Sequence, residues 1–324
     1  MASASRLPYS YQINDFAIPS GWNTRNIFDG GYLEPKESPI DTFVDKLTEL
    51  NKLILDARNL GSQLTEMQNE GLLDEVTFAR LSAHLNNTNN LSSVHTNLIL
   101  LGYISAVESY FRELIRRIII LDDIAKKSCE LKTIAFGAAL FHTKEMLPEA
   151  LLETITFISR DNIKDVLKQF LGISGSPFPT SVDESLVEFE NVCQLRHCIV
   201  HRFGKLGANN AIKLGLDAHG SFIEKPIRLN YPAIQTIARV CFNAVNEVNQ
   251  FLWQFIMMRQ IGELISQNNW KKKTTPVKWT WDLRKDKKLF KSYFDTFAFT
   301  RGTTPPNLRD AYREYKLKFN TIPA

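Results

Sequence analysis

Long apolar runs are missing from this chain. No uncharged stretch approaches the roughly 18 residues that a membrane-spanning helix needs, so no membrane association is expected. Cysteine is scarce too. Cys129, Cys193, Cys198 and Cys241 include no CxxC pair, which speaks against a disulfide framework. Cys193 and Cys198 have no second Cys/His pair nearby, so a zinc site is not expected either. Free thiols buried in apolar helices, in a reducing cytoplasm, are the expected state. The opening residues Met1-Ala2-Ser3-Ala4-Ser5-Arg6-Leu7-Pro8 have no apolar stretch behind them, which predicts no secretory leader. Also absent are a P-loop, a Rossmann glycine pattern, an HExxH helix and a Ser-His-Asp arrangement. The sequence therefore calls for no cofactor and no metal. Neither an internal repeat nor a low-complexity tract occurs.

What is present suits a soluble globular protein, with 44% hydrophobic and 23% charged residues. The net charge of +4 hides an asymmetry: from Trp270 onward 14 Lys and Arg face 5 Asp and Glu. That basic end is where a polyanion is expected to touch. Lys271, Lys272 and Lys273, then Trp279 and Trp281, then Arg284 and Lys285 interleave charge with rings, the combination that tracks phosphates and stacks on unpaired bases. The same rings also suit docking onto the chain's own body or onto a partner.

Periodicity predicts an all-α fold. Residues 1–38, rich in Pro, Gly, Ser and Asn, read as an irregular arm. Ser38-Pro39-Ile40-Asp41 is a helix start, followed by Phe43, Leu47, Leu50, Leu53 and Leu55, and a second helix is expected over Leu72–Leu85, which gives N-terminal helices over 39–91. The strongest helix runs Leu98–Asp122, with Glu108, Arg112 and Arg116 sharing one face. Further helices are expected at 130–142, 145–158, 161–171, about 183–202, Tyr231–Ile261 and Leu308–Phe319. Gly204 is the expected C-cap of the 183–202 helix. Ile212–Leu216 and Phe222–Leu229 are expected to pair as a short β-hairpin. Residues 92–262 then form the main helical domain and 270–324 a basic aromatic extension.

The end of the 183–202 helix carries the chemistry. Arg196-His197-Cys198-Ile199-Val200-His201 places an arginine and a histidine five residues apart, with Arg202-Phe203-Gly204 following. Histidine shuttles protons near neutral pH. Arginine is permanently charged and forked, suited to the extra charge on a phosphate under attack. Spacing alone carries little, since chance gives about 0.3 such pairs in a chain of this composition; the helical context carries the argument. Two structural alternatives stand beside it: Arg196 as ion-pair partner of Glu188 or Glu190, and His201 packed on Phe203. Cys198 reads as an apolar filler, and His84, His95, His142 and His219 as structural.

These residues resemble the HEPN domain family, helical bundles that include many endoribonucleases and whose pattern is Arg-x4–6-His, often with Asn, Asp or His directly after the arginine. Arg196, His197 and His201 meet it. Gly102–Ile120 resembles the family's first bundle helix, where Glu108 or Arg112 would be the polar residue supporting the site. The resemblance covers about residues 92–262 and implies an up-down bundle that pairs two copies across a two-fold interface. It implies metal-independent RNA cleavage, with His201 as acid and base, Arg196 as phosphate clamp and His197 as supporting contact. A toxin or anti-phage role under a regulatory protein partner is implied too. Phe203 departs from the tyrosine that some toxin members carry two residues after the histidine, and lacks the hydroxyl whose modification silences them. The alternative is a non-catalytic HEPN-type module that binds RNA or protein, or a structural subunit of a larger complex.

Overall fold

Proline at the first helical turn sets the entry of the first long helix. In the computed structural model, which describes residues 23–72, 74–77, 79, 93–173, 178–261 and 279–319, helix α1 runs Pro39–Asn69. The Ser38 hydroxyl accepts the Asp41 amide at 3.2 Å, and Pro39, which has no amide hydrogen to leave unsatisfied, follows the cap. Residues 1–36 form one unit and 37–324 another. The described part of the first, 23–36, is irregular apart from a 3-10 turn at Thr24–Ile27 capped by Asn23. The aromatics Tyr9, Tyr11, Phe16 and Trp22 lie outside the described residues, as does most of the expected helix 72–85.

In the second unit, α2 (Ser93–Leu121) is the hub. Its apolar residues go nearly all round, and Leu100, Val107, Phe111, Leu114 and Ile115 are fully buried, as expected of a helix wrapped by others. It touches α1, α3 (Asp123–Cys129), α5 (Leu147–Ala150), α6 (Arg160–Leu171), α7 (Thr180–Arg202), α10 (Tyr231–Gln260) and α11 (Leu283–Phe297). A Cβ on Gly102 would stand 2.7 Å from Leu50 Cδ2, so that glycine sets how closely α1 and α2 approach. The remaining helices are α4 (Phe136–Phe141), α8 (Ala208–Leu214), α9 (Leu216–His219) and α12 (Leu308–Phe319). The described chain is mostly helical, as its periodicity predicts.

Three expectations are corrected. Of the expected helix 130–142 only the short α4 is helical, and α3, capped by the Asp122 carboxylate, precedes it. Helix 145–158 shrinks to α5, because α2 supplies the missing backbone partners. Arg112 donates to the carbonyls of Leu152 and Ile155, and the Phe157 amide donates to Glu108 at 3.0 Å. The β-hairpin is not formed: Ile212–Leu216 belongs to α8 and α9, and the described residues hold one isolated bridge, Lys205 to Pro226. The apparent alternation at Ile212, Leu214 and Leu216 misleads because the inward residues are Ala211 and Leu214, three apart. Gly215, at φ +100°, then divides two helices rather than two strands.

The C-terminal segment packs into the same core. Phe290, Tyr293 and Phe297 of α11 are buried with α2 and α10 residues. Asp41 is buried and accepts from the Thr300 amide at 2.7 Å, the Thr300 hydroxyl at 2.6 Å and the Arg301 amide at 3.2 Å, which ties the segment after α11 to the start of α1.

Candidate active site

Helix α7 commits one face to the core through Leu186, Phe189, Val192 and Cys193, and seats Cys198 in a small cluster with Leu206 and Ala211. Cys198 is thus the buried filler its sequence setting predicts. Arg196, His197, Val200 and His201 remain at or near the surface at the C-terminal end.

That end is anchored tightly. Phe203 takes φ +50°, ψ +41°, and its amide and that of Gly204 both point to the Cys198 carbonyl. The C-cap is therefore Phe203, with Gly204 (φ +87°) after it. The Ile227 amide donates to the Gly204 carbonyl at 2.7 Å, and Leu206 exchanges bonds with Glu224 and Lys225. Arg202 makes a forked ion pair with Glu224, its two contacts at 2.5 and 2.7 Å. Asn210 of α8 donates to the side-chain oxygen of buried Gln194 at 3.1 Å.

Arg196 makes no hydrogen bond and no ion pair among the described residues, so Glu188 and Glu190 do not hold it. His201 is exposed and stacks on His197 with ring centroids 5.8 Å apart; Phe203, 86% exposed, does not cover it. Burial, followed by the positive charges of Arg196, His201 and Lys213, holds His197 below the ordinary histidine range. Arg196 and His201 are five residues apart, so they lie about 140° apart around the helix axis. Within one chain they present to different directions. Val200 and Phe203 at the end of the helix are exposed, as is Ile212 of α8.

The remaining sequence-predicted residues lie elsewhere. Helices α2 and α7 are antiparallel: Asn97 reaches Gly204, while Glu108 is close enough to act on Cys193. Glu108 is thus about two turns below His201, and Glu108 and Arg112 are spent on residues 149–157 rather than on the motif. Asn97 is the polar residue of α2 that does sit at the motif end, and its side-chain oxygen is buried without a hydrogen-bond partner. Sequence reasoning missed it, because only the packing of α2 on α7 brings it to the motif end.

Lys271, Lys272 and Lys273 lie outside the described residues. Trp279 and Trp281 pack on Tyr315 of α12, with ring centroids 5.3 and 5.7 Å away. Arg284 and Lys285 are exposed in the first turn of α11. This cluster adjoins Trp253 of α10, whereas Cys193, eight residues before His201, faces Cys241. The tail aromatics are therefore some 30 Å along α10 from the motif, and the structure does not bring the two sets together. No group of three or more His, Cys, Asp or Glu suited to a metal occurs among the described residues, and none of their helices is long and apolar enough to cross a membrane. Comparison with protein-family models, with curated proteins and with solved structures finds no match to this chain.

Proposed function

We propose that this chain is a metal-independent endoribonuclease of HEPN type. The observation that carries the reading is the uncommitted state of Arg196 beside an exposed His201 on an otherwise well-anchored helix end. A guanidinium with no intramolecular acceptor is ready for a phosphate. The 2′-hydroxyl attacks its own phosphodiester while a histidine removes its proton. The 5′-oxygen leaves, taking a proton from a histidine, and the products are a 2′,3′-cyclic phosphate and a 5′-hydroxyl. Acid–base help of this kind contributes about 10²–10⁴-fold. Because Arg196 and His201 diverge on one helix, the working site is a composite of two copies. Exposed Val200, Phe203 and Ile212 are the apolar surface that favours such pairing. A toxin or anti-phage role in the cytoplasm, held in check by a regulatory protein, follows from the resemblance.

The test incubates purified protein and excess EDTA with total RNA, beside Arg196→Ala and His201→Ala. Cleavage leaving cyclic-phosphate ends, lost in both variants, is the expected result. A His201→Ala protein that cuts as well as the unaltered chain sinks the reading. The same divergence of Arg196 and His201 favours a second reading, a non-catalytic module that binds RNA or protein. Expression that is toxic to cells, but harmless with His201→Ala, excludes it.

A further inference from the structure

A cleft of about 520 Å³ lies between α10 and the segment running from the end of α11 to α12, remote from the motif. Its volume is in the range of small-molecule sites. Trp253 and Phe299 are among its aromatic walls, while Asn246, Gln250 and Gln254 line it along α10 and Glu314 of α12 also lines it. Gln250 donates to Asn246 at 3.2 Å. Gln254 and Glu314 make no hydrogen bond or ion pair among the described residues, so two polar groups, one on α10 and one on α12, are left open to a ligand.

The lining selects the ligand. Aromatic walls suit a flat ring, and amides offer donors and acceptors together. No lysine or arginine lines this cleft, which disfavours phosphate or carboxylate inside it; Lys318 lines an adjoining cavity of about 210 Å³ that shares Trp253, Gln254 and Glu314 with it. A carboxylate only accepts, so Glu314 calls for paired donors. Among the nucleobases, guanine presents two adjacent N–H donors, on N1 and on the exocyclic amino group, that a carboxylate accepts side by side. Adenine and cytosine set a ring acceptor beside their amino group, and uracil flanks its one N–H with two carbonyls. We propose that this cleft binds a guanine base, delivered by a free nucleoside or by an unpaired nucleotide of RNA.

Calorimetry tests this with full-length Arg196→Ala protein, so that the result does not depend on the proposed cleavage. The titrants are guanosine, adenosine and short single-stranded RNAs with and without one guanine. The expected result is saturable guanosine binding, at least tenfold tighter than adenosine, and weakened at least tenfold by Glu314→Gln or Gln254→Ala. Both positions are exposed, so folding should survive, as circular dichroism would verify. Binding of the guanine-bearing RNA alone, with the same dependence on Glu314, also supports the site and names RNA as its source. Absence of saturable binding by every titrant overturns the proposal, as does equal affinity for adenosine or indifference to Glu314→Gln.

Discussion

His197 and His201 stack one turn apart on α7, with ring centroids 5.8 Å apart and planes inclined by 18°. Protonating both sets two like charges face to face beside Arg196 and Lys213. Burial comes first among the causes that depress His197, and those charges add to it. His197 should therefore titrate below the ordinary value near 6.5, and Arg196→Ala should move it upward. Because the folded value is below the unfolded one, its contribution to stability is present above about pH 6.5 and is lost as pH falls through the folded value. Histidine-resolved NMR titration is the check; a His197 midpoint at or above 6.5 contradicts the argument.

Arg196 separates function from folding. With no hydrogen bond or ion pair to lose among the described residues, Arg196→Ala should change stability by less than about 0.5 kcal/mol while removing RNA cleavage. Urea denaturation beside the cleavage assay reads both. A loss above about 2 kcal/mol would mean that the guanidinium serves the fold.

Legibility in the sequence followed the range of the interactions. Helix α1 was readable because Ser38 and Pro39 are local signals, and the Ser38 cap is present. Asp41 was readable as a helix-start residue, but its grip on Thr300 and Arg301 spans about 260 positions and leaves no local trace. The 145–158 segment was misread for a related reason. Its apolar spacing suits a helix, yet the backbone partners come from Glu108 and Arg112 on another helix. The motif was legible as Arg196, His197 and His201, since all three are within six residues. Asn97 was not, because only the antiparallel packing of α2 on α7 brings it to Gly204. The tail rings show the limit of composition: Trp279 and Trp281 read equally as base platforms or docking groups, and their contacts with Tyr315 were not inferable.

Asp122 and Arg259 form a buried ion pair, their side chains 1% and 0% exposed, at the end of the bundle away from the motif. Arg259 also donates to the Leu171 carbonyl at 2.6 Å, and Gln260 donates to Asp122 at 2.6 Å. One carboxylate thus ties the ends of α2 and α10 together while capping α3. Replacing one partner leaves a buried charge uncompensated, which typically costs about 3–5 kcal/mol. Arg259→Met should lose that much in urea denaturation, and the double variant with Asp122→Leu should recover part of it. A loss below about 1 kcal/mol would show that water reaches the pair.

Phe203 combines two unfavourable features at the motif's edge. Its backbone is left-handed, at φ +50°, which costs an L residue about 1–2 kcal/mol, and its ring is 86% exposed. Asparagine and glycine enter this conformation more readily, so a bulky ring there is unexplained by the fold of one chain. Strain kept at such a place points to function, and here the ring sits beside exposed Val200 at the surface through which two copies are proposed to meet. Phe203→Gly should raise monomer stability by about 0.5–1 kcal/mol, because the strain it relieves exceeds the glycine's added freedom in the unfolded chain. The same variant should weaken self-association at least tenfold. Urea midpoints at low protein concentration and sedimentation velocity across a concentration series measure the two effects separately. A destabilised Phe203→Gly would reveal that the ring has a contact within its own chain, and unaltered self-association would place the paired surface elsewhere.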